Sequence, residues 1–198
     1  MDKRWTKRSY VGGIDEAGRG PLAGPVSVAM VVAPKGFRFW HPKLGRIKDS
    51  KKLTAKGRLL WYVFLTSHPK LSWVHSYVTC RVIDRVNVAR AIDRGVKRLG
   101  IRCKPVPDFV FLDGSLHFTD AIPHKVVVKG DEKIPIVSAA SIIAKVRRDR
   151  HMVKMAKKFP QYSFDVHKGY GTRRHIELIK SFGPSPLHRT TFIRSFVP

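Results

Sequence analysis

Acidic residues are scarce in this chain, and four of them follow apolar stretches that favour β-strands. The 198 residues contain 14 Asp and Glu against 39 Lys and Arg. An acid at the end of a strand is held rigidly, so its position carries information about function. The four are Asp15 and Glu16 after residues 11–14, Asp113 after residues 109–112, and Asp131 after residues 126–130.

Carboxylates that neighbouring strands present together repel one another unless cations lie between them. Oxygen ligands of this kind suit Mg²⁺ or Mn²⁺. An acidic cluster beside a basic surface is the arrangement that two-metal phosphoryl transfer requires. The four acids therefore predict a catalytic site for divalent metal.

Each acid also has a structural interpretation. Asp113 with Gly114 is an ordinary turn signal, and Asp131 is compatible with a solvated loop. Asp15 and Glu16 are harder to explain in that way. Two adjacent charges between a buried strand and a glycine-rich segment are costly unless they are paired or bound to metal.

Other candidate metal ligands fit structural roles better. Asp49 lies in a Lys-rich segment and Asp149 lies between two arginines, so we expect both to form ion pairs. None of the nine histidines has a zinc-site spacing with a cysteine or a second histidine, so no zinc site is expected. Cys80 and Cys103 are expected to be reduced thiols, because a chain of this size folds without a disulfide.

The charge balance predicts a polyanionic partner. The formal net charge is +25. Excess positive charge repels itself in the compact state, and a polyphosphate ligand relieves this repulsion while it releases condensed counterions. Solubility alone is the alternative explanation, but added acids serve solubility better than added bases do.

The elements that must position the acids form an α/β pattern. We predict one domain over residues 1–198, with residues 160–198 as its C-terminal helical extension and residues 34–53 as an irregular basic loop. Strands are expected at residues 11–14, 26–33, 73–79, 109–112 and 126–128. Helices are expected from the N-cap Thr54 to a point before Pro69, from Val82 to Leu99, from Ile136 to about Lys158, and from the N-cap Thr172 to Phe182.

The apolar segments of the chain match neither a membrane span nor a signal peptide. The run from Val26 to Ala33 is too short to cross a bilayer, and the first eight residues have no apolar stretch of the kind found in signal peptides. We therefore expect a cytoplasmic protein without membrane contact.

Seven ordered segments of the chain resemble bacterial ribonuclease HII, the type 2 ribonuclease H. A lone Asp-Glu-x-Gly would be weak support, whereas this order along nearly the whole chain makes the resemblance specific. The segments are residues 13–26 with Asp-Glu-Ala-Gly-Arg-Gly, 49–53, 112–114, 129–131, 139–150, 167–172 and 183–189.

The resemblance implies a ribonuclease H-like fold, in which a mixed sheet is flanked by helices and followed by a C-terminal helical segment. It implies that Asp15, Glu16, Asp113 and Asp131 are the catalytic acids and metal ligands, with Mn²⁺ or Mg²⁺ as cofactor. Asp15 would bridge two metal ions. The implied activity is cleavage of the RNA strand of RNA/DNA hybrids and incision 5′ of single ribonucleotides in duplex DNA, which leaves 3′-hydroxyl and 5′-phosphate ends. The implied role is the repair of misincorporated ribonucleotides.

Two segments are expected to distinguish RNA from DNA. Gly18, Arg19 and Gly20 would let the backbone approach the nucleic acid and read the 2′-hydroxyl, because glycine has no side chain. By resemblance, Tyr170 packs against the sugar of the following deoxynucleotide. A buried core tyrosine with a bonded hydroxyl is the alternative interpretation.

Basic residues are expected to complete the nucleic-acid surface. Lys48, Lys51 and Lys52 lie in a segment that we expect to be flexible, and they are predicted to hold phosphates. Arg46 is a weaker candidate. A second group of basic residues on a predicted helix could extend this surface, but at least half of them are better explained as a solvated helix face. That group is Lys145, Arg147, Arg148 and Arg150.

The end of the chain gives two further expectations. His188 and Arg189 are assigned to structure or backbone contact. Residues 196–198 show no Gln-led clamp-binding motif, so recruitment to a sliding clamp is not expected. The expected partners are RNA/DNA hybrid and ribonucleotide-containing duplex DNA, bound by a monomer.

Two rival functions would also fit the charge. One is a non-catalytic binder of RNA/DNA or ribosomal RNA, and the other is a different nuclease or resolvase of ribonuclease H-like fold. Four carboxylates facing a phosphate backbone would repel it unless metals intervened, which disfavours the binder. The fold itself does not separate the nucleases, because function depends on the site.

Overall fold

The computed structural model describes residues 9–100, 102–114, 116–118 and 121–197, and in this part a five-stranded mixed sheet forms the centre. The order of strands across the sheet is β5, β2, β1, β6 and β7. A separate pair, β3 and β4, lies outside it. In chain order the strands are β1 Tyr10–Ala17, β2 Val26–Pro34, β3 Trp40–His41, β4 Gly45–Arg46, β5 Ser72–Val78, β6 Phe109–Asp113 and β7 His124–Val127.

The central strand β1 determines where the acids meet. It pairs antiparallel with β2 and parallel with β6, where Ile14 lies opposite Leu112. β6 pairs parallel with β7, where Asp113 lies opposite Val127. Because β1, β6 and β7 run in the same direction, their carboxyl ends lie at one edge of the sheet.

Helices cover both faces of this sheet, so the predicted mixed sheet flanked by helices is confirmed. Thr54 and Thr172 are N-caps, as predicted, and their side chains accept hydrogen bonds from the Gly57 and His175 amides. None of the described helices is long and apolar enough to cross a membrane. The helices are α1 Ala55–Ser67, α2 Cys80–Val86, α3 Val88–Gly100, α4 Gly130–Lys133, α5 Pro135–Ala156, α6 Phe164–His167, α7 Arg173–Phe182 and α8 Thr190–Ile193.

The prediction of one continuous helix from Val82 to Leu99 is wrong. Asn87 has a φ of 67°, which ends α2, and its side-chain oxygen accepts a hydrogen bond from the Arg90 amide at 3.1 Å at the start of α3. A positive φ is uncommon for residues other than glycine, and asparagine is among those in which it occurs most often. The apolar spacing continued across the break because both helices pack on the same core.

The predicted loop at residues 34–53 is more ordered than expected. It contains the β3–β4 pair and a 3-10 turn at Ser50–Lys52. Phe39 and Ile47 are buried and anchor the segment. Strands of two residues are too short to produce a readable alternation, which is why the pattern predicted only a loop.

Two apolar layers hold the helices to the sheet. Ile14 and Val28 face α2 and α3, whereas Ala29 and Val31 face α1 and α5. At Gly13, a Cβ would lie 2.6 Å from the backbone carbonyl carbon of Ile136 in α5. Glycine at this position therefore lets α5 lie directly against the strand that carries Asp15.

Candidate active site

Three of the four predicted acids converge at the edge where β1, β6 and β7 end. Asp15 lies near the end of β1, Asp113 ends β6, and Asp131 lies in the first turn of α4. One carboxylate oxygen from each lies within 4.8 Å of the other two. Asp15 and Asp131 are buried, with 4% and 3% of their surfaces exposed. Carboxylates so close together suit a divalent cation with oxygen ligands.

Amide and serine contacts orient these carboxylates. Oδ1 of Asp15 accepts a hydrogen bond from the Glu16 amide at 2.7 Å, and the same side chain is hydrogen-bonded to Ser141 of α5. Oδ1 of Asp113 accepts one from the Gly130 amide at 2.6 Å. The backbone that follows β7 therefore fixes the carboxylate at the end of β6.

Glu16, the fourth predicted acid, lies outside the group of three in the part of the chain that the structure describes. It follows Asp15 on β1, so the two side chains point to opposite faces of the strand. Glu16 lines the same cavity as Asp15, and its Oε1 lies 3.7 Å from Nη1 of Arg19. Its role as a metal ligand stays a prediction.

Burial and repulsion between carboxylates raise the pKa values of Asp15, Glu16 and Asp113. Burial raises the pKa of Asp15 well above its usual value, and the charges of Glu16 and Asp113 raise it further. Burial also raises the pKa of Glu16, against an opposing effect of Arg19. The pKa of Asp113 is raised by burial and by Asp131. A cation that binds these groups therefore competes with protons.

Lys51 already brings a positive charge to the acids. Its Nζ lies 2.9 Å from Oδ2 of Asp131, and this hydrogen bond raises the pKa of Lys51. Lys52 pairs with Glu132 at 2.7 Å, whereas Lys48 is exposed and forms no ion pair with a described residue. All three were predicted to hold phosphates, which stays a prediction, and the structure pairs two of them with acids. Lys51 thereby places a positive charge beside one acid of the cluster.

Hydrogen bonds connect the segment that carries these lysines to neighbouring elements, and its flexibility stays a prediction. Residues 50–52 form a turn whose N-cap is Asp49, which accepts a hydrogen bond from a backbone amide of the turn at 2.9 Å. Oγ of Ser50 lies 2.8 Å from Oγ of Ser141, and Nε of Arg58 donates to the Ser50 carbonyl at 2.9 Å. Asp49 thus caps a turn, and it does not form the predicted ion pair with any residue that the structure describes.

A cavity of about 270 Å³ opens beside the acids. Tyr170 is 40% exposed there, and its ring centroid lies 5.3 Å from Nζ of Lys145. Its alternative interpretation as a buried core tyrosine is therefore wrong. The residues predicted to read the nucleic acid all line this cavity: Gly18, Arg19, Gly20 and Tyr170.

The sequence reasoning missed Ser141 and Arg58, which also line the cavity. Ser141 and Lys145 are four residues apart on α5, so they lie on one face of that helix. Ser141 could have been noticed because it lies four residues before a lysine in a largely apolar stretch. No feature of the sequence pointed to Arg58. Lys145 pairs with Asp149 at 2.9 Å, which confirms the ion pair predicted for Asp149.

Gly18 and Gly20 have different surroundings in the loop between β1 and β2. Gly18 has a φ of +95°, and a Cβ there would lie 2.1 Å from Nε of Arg148. A Cβ on Gly20 would meet no atom within 4 Å, and the Gly20 amide has no hydrogen-bond partner among the described residues. Packing inside the protein therefore requires glycine at position 18, while the space at position 20 is open to a ligand.

We expect Gly20→Ala to keep the melting temperature of the parent and to weaken binding of a ribonucleotide-containing duplex about tenfold, because a methyl group would block the close approach of the backbone. Gly18→Ala is expected to lower the melting temperature, because strain of about 1–3 kcal/mol adds to the clash with Arg148. Thermal unfolding and titration with a labelled duplex separate the two effects. Equal melting temperatures for the two variants would contradict this assignment.

Buried histidines hold the segment that carries Tyr170. Nδ1 of His188 accepts a hydrogen bond from the Ser185 amide at 2.8 Å, so the proton of His188 is on Nε2, which lies 3.1 Å from Nε2 of His175. Nδ1 of His175 then donates to the Tyr170 carbonyl at 2.9 Å. The ring of His167 stacks on His175 with centroids 4.1 Å apart. This directed chain of hydrogen bonds requires neutral rings.

The histidine chain predicts a loss of stability in acid. Burial lowers the pKa values of His175 and His188 to about 4, whereas in the unfolded chain they protonate near pH 6.5. Their stabilising effect is present above about pH 6.5 and is lost as the pH falls towards 4, because the unfolded state then binds protons that the folded state does not. Urea unfolding from pH 7 to pH 4 measures this fall.

His188→Asn is the informative variant, because it keeps an acceptor for the Ser185 amide and removes one titrating group. It should be less stable than the parent at pH 7 and lose less stability on acidification. His124→Gln, at an exposed position, serves as the control and should lose as much stability on acidification as the parent does. If His188→Asn also lost as much stability as the parent, the assignment would be refuted.

Comparisons with known proteins agree along nearly the whole chain. A family model described as Ribonuclease HII matches residues 12–195. Ribonuclease HII from Chloroherpeton thalassium is 42% identical over 194 residues, which cover 95% of this chain and 92% of that protein.

Solved structures show the same likeness. Ribonuclease H2 from Pyrococcus horikoshii OT3 superposes with a TM-score of 0.75 at 28% identity, covering 94% of this chain and 96% of that one. The structure of the PCNA:RNase HII complex from Archaeoglobus fulgidus superposes with a TM-score of 0.74 at 27% identity, covering 90% of this chain and 93% of that one. The predicted ribonuclease H-like fold is thereby confirmed.

Proposed function

This chain belongs to the ribonuclease HII family, and from that premise we propose that it both cuts the RNA strand of RNA/DNA hybrids and incises duplex DNA 5′ of a single embedded ribonucleotide. Ribonuclease H activity comes with the family. The finer specificity is supported chiefly by one observation: the cavity beside the three aspartates is lined by both Gly20 and Tyr170.

The acid cluster fits the metal that this chemistry needs. Its donors are all carboxylate oxygens, which suit Mg²⁺ and Mn²⁺, and Lys51 already places a positive charge beside Asp131. We propose that Asp15, Asp113 and Asp131 hold divalent metal and that Glu16 completes a two-metal site. Bound metal would activate water for attack on phosphorus and stabilise charge on the leaving 3′ oxygen.

Lys51 has two roles in this proposal. Its side chain is 78% exposed, so it would be free to turn away from Asp131 if Asp131 held a divalent cation. The ammonium would then be available to hold a phosphate of the substrate. The pairing with Asp131 and the predicted phosphate contact are therefore compatible.

The ribonucleotide is recognised by backbone and ring together. Gly20 offers an amide that no described residue hydrogen-bonds and open space beside its Cα, so a sugar hydroxyl can approach the chain closely there. The ring of Tyr170 closes another part of the same cavity. A 2′-hydroxyl on the following sugar would crowd this ring, so the pair would select an RNA-to-DNA junction.

Product mapping tests the proposed reaction. A duplex with one ribonucleotide and a 5′ label on that strand should give a single product that ends just before the ribonucleotide. A DNA polymerase should extend this product, because incision leaves a 3′-hydroxyl. Cleavage on the 3′ side of the ribonucleotide, or an end that the polymerase cannot extend, would reject the proposal.

A further inference from the structure

Two arginines are completely buried beside the cavity. Arg148 lies in α5 and Arg189 directly precedes α8, and both have 0% of their surface exposed. Neither forms an ion pair with a carboxylate among the described residues. Buried charge without a counter-charge is costly, so these side chains need another explanation.

Among the described residues, the hydrogen bonds of the Arg148 guanidinium all go to backbone carbonyls. Its Nε donates to Pro25, its Nη2 to Ala23 and its Nη1 to Lys168, each at 3.0 Å. Pro25 and Ala23 belong to the connection between β1 and β2, whereas Lys168 lies two residues before Tyr170. One side chain therefore ties together the two segments that line the cavity.

Arg189 holds the other end of the same connection. Its Nη2 donates to the Gly18 carbonyl at 2.6 Å and its Nη1 donates to the Arg19 carbonyl at 2.8 Å. Its Nε donates to the Gly24 carbonyl at 3.1 Å. The carbonyl groups on both sides of Gly20 are thus turned towards buried cations, while the Gly20 amide has no partner in the described chain.

Arg148 also lies close to Tyr170 and to Gly18. Cζ of Arg148 lies 5.5 Å from the centroid of the Tyr170 ring, and Gly18 packs directly on the same guanidinium. The guanidinium of arginine is rigid and planar and donates hydrogen bonds in several directions, so it can fix the distance between two segments. The flexible side chain of lysine cannot do this.

We propose that Arg148 and Arg189 are positioning residues that hold the Gly18–Gly20 backbone and Tyr170 in a fixed relation, and so determine how strongly the protein prefers a ribonucleotide over a deoxyribonucleotide. The inference rests on the proposed function of the same cavity. Both arginines act through the backbone and do not touch the substrate. Their loss should therefore reduce the preference for the ribonucleotide more than the general attraction to a phosphate backbone.

The test uses Arg148→Lys and Arg189→Lys in an Asp15→Asn background, so that the duplex is bound without being cut. Fluorescence titration in Mg²⁺ gives dissociation constants for a labelled duplex with one ribonucleotide and for the matched all-DNA duplex. Each lysine variant should lower the ratio of the two affinities about tenfold, which is the scale of one charge-assisted hydrogen bond. Affinity for the all-DNA duplex should change little.

A purely structural role predicts a different result. It would lower the melting temperature and leave the affinity ratio unchanged. Leu99→Ala is the matched control, because Leu99 is buried in the core on the α3 side of the sheet and does not belong to the loop between β1 and β2. It should lower the melting temperature and keep the ratio.

The outcomes separate this inference from the proposed function. If the Asp15→Asn parent itself shows no preference for the ribonucleotide, the proposed specificity fails. If the parent shows the preference and both lysine variants keep it, the positioning role is overturned while the proposed function stands.

Discussion

Asp15→Asn is expected to lower kcat by about a thousandfold or more, because it removes a charge from the centre of the acid cluster. Asp15 belongs to the group of three carboxylates and is hydrogen-bonded to Ser141 and to the Glu16 amide. Asparagine keeps the shape and one oxygen but not the charge. Steady-state incision of a duplex with one ribonucleotide measures the loss. A variant that keeps a tenth of the parent's kcat would contradict the assignment.

The same substitution should not unfold the protein. The pKa of Asp15 is raised above its unfolded value, so its contribution to stability is present below the unfolded pKa and is lost as the pH rises through the folded pKa. Asparagine does not titrate. Without divalent metal, the melting temperature of Asp15→Asn relative to the parent should therefore be higher at pH 8 than at pH 5. The exposed Asp165→Asn is the control and should show no such trend.

Removal of divalent metal is expected to abolish incision, and its return should stabilise the fold. Metal that binds the folded state alone at a hundredfold excess over its dissociation constant adds about 2.7 kcal/mol to the free energy of unfolding. The rise in melting temperature with Mg²⁺ or Mn²⁺ should shrink as the pH falls, because the raised pKa values of Asp15 and Asp113 let protons compete with the metal.

Two neighbouring acids provide a matched pair for this experiment. Asp131→Asn should lose most of the stabilisation by metal, because Asp131 is one of the three converging acids. Glu132→Gln should keep it, because Glu132 pairs with Lys52 at the surface. An equal response of the two variants would show that metal binds elsewhere.

The sequence predicted which acids converge better than it predicted the boundaries of the helices. Asp15, Asp113 and Asp131 could be found because acids are rare in this chain and follow apolar strands. Parallel neighbours in the sheet then bring their ends together. The break at Asn87 was not predictable from periodicity, since α2 and α3 keep one apolar spacing on both sides of it.

Contacts between distant parts of the chain were the main limit. Arg148 belongs to a basic group that was assigned partly to a solvated helix face, yet it is completely buried. Charge pattern alone cannot show that carbonyls of residues 23–25 and 168 surround it. Arg189 was assigned to structure or backbone contact, and its hydrogen bonds to Gly18 and Gly24 confirm this. Lys51 and Asp131 are 80 residues apart in the chain, so no local sequence pattern indicates that they pair.

Incision of an end-labelled DNA duplex that holds one ribonucleotide tests whether this chain is a metal-dependent ribonuclease whose acid cluster is the active site. The parent and Asp15→Asn are compared with Mg²⁺, with Mn²⁺ and with chelator, beside an all-DNA duplex. We expect metal-dependent cleavage 5′ of the ribonucleotide by the parent, none by the variant, and an intact all-DNA duplex. A parent that binds the duplex without cutting it, or that cuts both duplexes equally, would show that the protein is not a nuclease specific for ribonucleotides.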